Sequence, residues 1–341
     1  MEKEEARLAG IFGVNPITVR RVLRHDRSVN MELRQKILTY AAEHGIPSGT
    51  SPEAAPDAPL VYVMLPDTPT FFWKEIGRGI RETFLYEKEH CRQPAVLSEN
   101  CFSNINDTVS QSLYLEEALR KRASVILCAV ADTEKLREQL TAFTRRNDTL
   151  LIFVSERCDI ADSCYVGADN YIDGFLLARK YCSRPDTAGR GICCVQYPIL
   201  TSSGQRIDGF CDALYAYGRE QCGPLRFHPL DPDFFIPHSA IPSHFAALFH
   251  KLREEAGKPL AFYVSFGIRG GDLSAAAHKA RLDDVLYITH DTAVNPQNGD
   301  FITINQDTYL QGSIAMRYAM RFLSSGSRPA DRRRCIPSRI F

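Results

Sequence analysis

The sequence predicts an α/β protein in which a small N-terminal three-helix unit precedes a two-lobed core of parallel sheets flanked by helices. Three observations predict it. Residues 8–30, LAGIFGVNPITVRRVLRHDRSVN, read as two short helices meeting at a glycine turn. Residues 46–59, IPSGTSPEAAPDAP, carry proline, alanine and small polar residues without an apolar period, which marks a linker. Beyond residue 60, short apolar runs alternate with amphipathic stretches, the rhythm of repeated βα units. The division that follows is 1–46 for the helical unit, 47–59 for the linker and 60–341 for the core.

In the helical unit, Gly13 stands where the chain must turn sharply and positive φ is favoured. Asn15 is a good N-cap for the second helix, and Pro16 falls at its first position, where no donor is needed. At about 100° per residue, Val19, Val22 and Leu23 gather on one side while Ile17, Arg20, Arg21 and Arg24 gather on the other. One stripe suits a core and the other faces out. Such a helix-turn-helix can place its second helix in the major groove of DNA; the plainer reading is an amphipathic surface helix with solvated arginines.

The 341 residues include 41 Lys+Arg against 41 Asp+Glu, so the chain is no generic polyanion binder and attraction to DNA must come from local clustering. Arg20, Arg21, Arg24 and Arg27 supply that clustering, offset in part by Glu2, Glu4, Glu5 and Asp26. Eleven cysteines lie scattered without CxxC pairs, which predicts free thiols and no metal site. With no apolar run of membrane-spanning length and no leader pattern, the expected compartment is the cytoplasm.

In the core, residues 60–65 form a continuous apolar run, the mark of a buried parallel strand, followed by a helical pattern over 72–89. Strand-like runs recur at 95–97, 125–130, 150–154, 191–195, 260–264 and 285–289. Helical stretches lie at 108–122, 134–146, 172–181, 207–217, 243–256 and 273–280. Four strands precede about residue 160 and three follow, so two similar lobes are expected, with the arginines at 332–334 a solvated charge run. Phe71, Phe72 and Trp73 open the first long helix just past the first strand, where aromatic faces can stack on a sugar or a base or simply fill the core.

Val14, Thr18, Val19, Arg21, Val22, Leu23 and Val29, extended by Arg34, Lys36 and Ile37, match the pattern of the lactose-repressor (LacI/GalR) family, which the chain resembles. The resemblance implies a DNA-binding headpiece on a type I periplasmic-binding-protein-like core, acting as a ligand-controlled dimer. It also implies a discontinuous core, with the first lobe at about 60–160 and 292–323 and the second at about 161–291 and 324–341. The family's hinge leucine would fall at Ala54, between Pro52 and Pro56. In GQRIDGF, Arg206 matches an arginine that projects into the cleft, where its planar donors can clamp vicinal hydroxyls. In YITHDT, Asp291 matches a carboxylate that accepts from ligand hydroxyls. Each of the two can equally be half of a structural ion pair. Ser155 and Ser202 carry over from loop positions that contact ligand, whereas Asp169 and Asn170 have a plainer role as helix caps. In VSFGIRGG, Phe266 falls near the position of a missing asparagine and should alter ligand choice.

These readings lead to a ligand-responsive transcription regulator on a near-palindromic double-stranded operator. Pro16, Ile17 and Arg21 would face base edges, with Asn15, Thr18, Arg20 and Arg24 nearer phosphates. The effector is expected to be a sugar or a related small molecule, the assembly a homodimer, and no cofactor, metal or membrane is called for. No GxGxxG follows the first strand, and no P-loop, GxSxG or HExxH appears, so catalysis is not expected. Two alternatives stay open: a sugar-binding sensor with a degenerate headpiece, and an enzyme on a doubly wound fold.

Overall fold

The computed structural model describes residues 2–23, 31–44, 46, 58–67, 71–91, 94–198, 200–218, 223–231, 240–256, 260–266, 270–282, 285–291 and 301–341. Its two compact units are residues 1–58 and 59–341. The first comprises helices α1 (Glu2–Phe12), α2 (Pro16–Leu23) and α3 (Met31–Glu43). Their contact faces supply a small core of Leu8, Ala9, Val19, Val22, Leu23, Ile37, Ala41 and Ile46. The predicted apolar stripe of the second helix is therefore the buried one. The hinge region, Ala54 included, lies outside the described residues.

The second unit holds two sheets. The first joins β1 (Leu60–Pro66), β2 (Val96–Phe102), β3 (Val125–Cys128), β4 (Leu150–Val154), β5 (Cys164–Gly167) and β11 (Arg333–Cys335). The second joins β6 (Gly191–Gln196), β7 (Leu225–Pro229), β8 (Leu260–Val264), β9 (Leu286–His290), β10 (Phe301–Asn305) and β12 (Arg339–Ile340). Apart from the last strand of each, the spatial orders are β2-β1-β3-β4-β5 and β7-β6-β8-β9-β10, one doubly wound order used twice. All their pairings are parallel except β10 with β12.

Helices α4 (Phe71–Cys91), α5 (Thr108–Arg120), α6 (Glu134–Thr144) and α11 (Thr308–Ser325) accompany the first sheet. With the second sheet go α7 (Asn170–Cys182), α8 (Thr201–Tyr217), α9 (Ile241–Ala256) and α10 (Gly270–Ala280). In each lobe one helix pair crosses at reciprocal glycines. A Cβ on Gly79 of α4 would lie 2.2 Å from the Tyr309 carbonyl oxygen, and one on Gly312 of α11 would lie 2.1 Å from that of Ile76. In the second lobe, Gly174 of α7 meets the Arg206 carbonyl and Gly209 of α8 meets that of Tyr171, each at 1.9 Å. No other residue type lets two helix backbones approach so closely.

The chain passes between the two sheets three times. β5 joins the first sheet, so the chain first changes lobes between residues 167 and 170, later than the expected 160. β10 stays in the second sheet, which places the return crossing at 305–308 rather than before 292. The third crossing lies between β11 and β12, at 335–339. The arginines at 332–334 are exposed, as expected of a solvated charge run, although the backbones of Arg333 and Arg334 pair in register with Tyr165 and Val166 and Arg332 holds Asp162 at 2.8 Å.

Candidate functional site

In the N-terminal unit, Gly13 has φ of +63° and Val14 N–H returns to the Ala9 carbonyl at 3.0 Å, closing α1. Asn15 Oδ1 then accepts from Ile17 N–H at 2.8 Å, so the predicted cap is made. Asn15, Pro16 and Ile17 are exposed, Ile17 by 57%, and Thr18 is half-buried. Arg20 is engaged within the unit. Glu5 is buried, and its Oε2 accepts from Arg20 Nε at 2.8 Å and Nη2 at 2.7 Å. Phosphate contact by Arg20 must therefore share that guanidinium with Glu5. Arg21 lies on α2 with its side chain outside the described residues, as is the whole of Arg24.

In open α/β sheets ligands bind beyond the carboxyl ends of the strands, where the strand order reverses. That point lies between β1 and β3 in the first lobe and between β6 and β8 in the second. Arg206, on α8, is 3% exposed. Its Nε donates to Asn170 Oδ1 at 2.9 Å, its Nη1 to the Ser265 carbonyl at 3.2 Å, and its Nη2 lies 4.0 Å from Asp291 Oδ2. Asp291 sits just past β9 in the left-handed region, with φ of +53°. Its amide donates to the Ile304 carbonyl at 2.9 Å and its Oδ1 accepts from Gln306 N–H at 2.8 Å. Burial pushes the Asp291 carboxyl up to about 6, against the opposing pull of Arg206 and the Gln306 amide.

Two further buried carboxylates face the same guanidinium. Asp173 of α7 accepts from Ser338 Oγ at 2.9 Å, and burial pushes it up to about 7, with Arg206 and Ser338 pulling down and Asp291 and Asp169 pushing up. Glu156, in the turn after β4, accepts from Ser202 N–H at 3.3 Å and from the Ser202 hydroxyl. Burial raises its carboxyl too, while Ser202 and Arg206 oppose the rise. A guanidinium ringed by carboxylates and amides suits a ligand rich in hydroxyls, which donate to the acids and accept from the arginine.

The structure thus brings Arg206 and Asp291 together and ties Ser202 to Glu156. Ser155 is buried at φ of +68°, with its amide on the Val166 carbonyl and its own carbonyl on the Tyr165 hydroxyl, so its backbone pins the turn that carries Glu156. Phe72 and Trp73 form an edge-to-face pair at 5.0 Å, packed against the first lobe's core, while Phe71 is 75% exposed. Phe266 turns inward: it is buried between Tyr197 at 5.6 Å and Phe245 at 6.5 Å, a core position. Asp169 caps α7 through Ile172 N–H, as expected, whereas Asn170 is a direct partner of Arg206. Glu156, Asp173 and Asn106 were not singled out from the sequence as site residues; their partners lie 46, 165 and 91 residues away.

Among the described residues no group of three or more His, Cys, Asp or Glu is placed to hold a metal, and no helix is long and apolar enough to cross a membrane. A groove elsewhere on the second lobe is lined mostly by apolar side chains, among them Ile192, Leu214, Tyr215, Pro224 and Leu225.

No protein-family model matches the chain, and no curated protein matches it in sequence. Solved structures share its fold. The Caulobacter myo-inositol binding protein bound to myo-inositol is similar at 18% identity and a TM-score of 0.67, over 86% of this chain and 95% of that one. A LacI-family transcriptional regulator from Silicibacter pomeroyi is similar at 17% identity and a TM-score of 0.62, over 99% and 97%. The transcriptional regulator CelR in complex with cellobiose is similar at 14% identity and a TM-score of 0.60, over 98% and 97%. The core therefore has a periplasmic-binding-protein-like fold, one found in both sugar-binding proteins and regulators.

Proposed function

We propose that the chain is a ligand-responsive, DNA-binding transcription regulator that senses a sugar or related polyol between its two lobes. The observation that carries this reading is the presence, in one chain, of two features. One is a helix pair with a glycine turn and an asparagine cap; the other is a core in which Arg206 and Asp291 meet beyond the strand ends. Likeness to regulators along nearly the whole chain supports it. The exposed face of α2 would enter the major groove, with Arg21 on base edges and Ile17 against thymine methyls. One small module buries too little surface for tight specific binding, so a homodimer on a near-palindromic operator is the working assembly. Operator and effector would then bias one equilibrium reciprocally.

One observation favours the sensor without DNA: the Glu5–Arg20 pair removes a cation from the face that would meet phosphates. Two measurements on the full chain separate the readings. Selection from random palindromic duplexes should enrich a site whose affinity falls steeply with salt, because contacted phosphates release counterions. Thermal-shift screening with a panel of neutral sugars and cyclitols should raise the melting temperature for a small subset. A sugar response with no salt-dependent duplex binding would replace the regulator by the sensor, and turnover of the sugar would replace both by an enzyme.

A further inference from the structure

α8 begins in an unusual way. Its N-cap is Leu200, whose side chain supplies no capping hydrogen bond, so the first turn's amides need an acceptor from elsewhere. Glu156 provides it from the other lobe, through Oε2 on Ser202 N–H at 3.3 Å and Oε1 on the Ser202 hydroxyl. Glu156 is 7% exposed and Ser202 2%. A carboxylate loses hydration at such a place, and hydrogen bonds and the positive end of a helix offset part of that loss. Other contacts join the lobes as well: Asn106 Nδ2, in the loop after β2, donates to the Tyr197 hydroxyl after β6, and Ile105 packs against the cores of both lobes.

We propose that Glu156 is a latch between the lobes. Its carboxylate occupies, on Ser202, the hydrogen-bonding place that a ligand hydroxyl needs, so that effector entry requires release of the latch. The second half of this statement rests on the cleft being the effector site; the first half does not. A latch of this kind is an internal competitor, and the effector's apparent affinity is lowered by the fraction of time the latch is shut.

Amide hydrogen exchange on the full-length chain tests it without knowledge of the ligand. Glu156→Gln keeps the shape and removes the charge; it is expected to raise exchange at least tenfold in peptides covering 200–206 and 103–107, with β3 and β8 unchanged. Ser202→Ala should do the same at 103–107, and it carries the test if circular dichroism finds the Gln variant unfolded. Exchange equal to the parent's in both peptides overturns the latch. Any neutral sugar that shifts the parent's melting temperature should then bind Glu156→Gln about tenfold more tightly, since no latch must open. Weaker binding overturns the proposal, because Glu156 is then itself a ligand group. If no sugar binds either protein, the sugar-sensing reading fails while the exchange result still decides the latch.

Discussion

Replacing Gly174 with alanine tests whether the second lobe depends on the close crossing of α7 and α8. The new Cβ would lie 1.9 Å from the Arg206 carbonyl oxygen and 3.0 Å from its Cα, where real Cβ atoms keep beyond 3.0 Å, so the helices must part by about 1 Å. Both obstructing atoms are backbone, and no side-chain rotation relieves the clash. Overpacking of this kind costs about 1–3 kcal/mol, and the upper end applies here; the gain of about 1 kcal/mol for alanine over glycine in a helix offsets part of it. The net expectation is a loss of about 2 kcal/mol, which in a unit of this size lowers the melting temperature by about 3 °C in scanning calorimetry. Gly204, on the same α8, has nothing within 4 Å of its would-be Cβ, so Gly204→Ala should instead stabilise by up to about 1 kcal/mol. A Gly174→Ala melting temperature within a degree of the parent's, or an equal fall in Gly204→Ala, refutes the reasoning.

The folded-state carboxyls of Asp173 and Asp291 stand at about 7 and about 6, above their ordinary value of 3.8, so their neutral forms favour the fold. That contribution is complete below about pH 4 and is lost as pH rises through 6 and 7; the core's melting temperature should climb between pH 8 and pH 5.5, and Asp173→Asn should flatten the climb. A slope unchanged in that variant counts against the assignment. Asp291→Ala should abolish the thermal response to an active sugar and leave duplex binding intact; retained sugar affinity would remove Asp291 from the site. Arg21→Ala should weaken the selected operator by about 1–3 kcal/mol and relax discrimination at the contacted base pair, whereas unchanged affinity would remove α2 from the groove.

What the sequence made legible follows from how locally each feature is encoded. β1, β3, β4, β8 and β9 are buried on both faces almost throughout and announce themselves as apolar runs. β7, LRFHP, is an exposed edge strand of only five residues ending in proline, and β5, CYVG, is four residues long; neither stood out, and overlooking β5 misplaced the lobe boundary. Arg206 and Asp291 were found because each sits in a short recognisable stretch beside a strand end. Glu156 was not, because nothing near it in sequence hints that its partner is a helix start 46 residues on. Phe266 was placed toward the ligand because it falls near the position of the family's missing asparagine; its ring turns back to pack with Tyr197 and Phe245.

The three short crossings at 167–170, 305–308 and 335–339 set the mechanics of the molecule. A single tether would leave one lobe free to swivel and slide on the other; three tethers act as a door's hinges and leave one rotational degree of freedom. Each lobe's helix pair, seated backbone to backbone at its glycines, is too stiff to absorb strain as an internal bend. Under the proposed function, work done by a ligand between the lobes would be delivered as rotation about one axis. Asn170 at the first crossing, Gln306 at the second and Ser338 at the third touch Arg206 or the carboxylates beside it, so the axle of that rotation and the candidate site are built from the same residues.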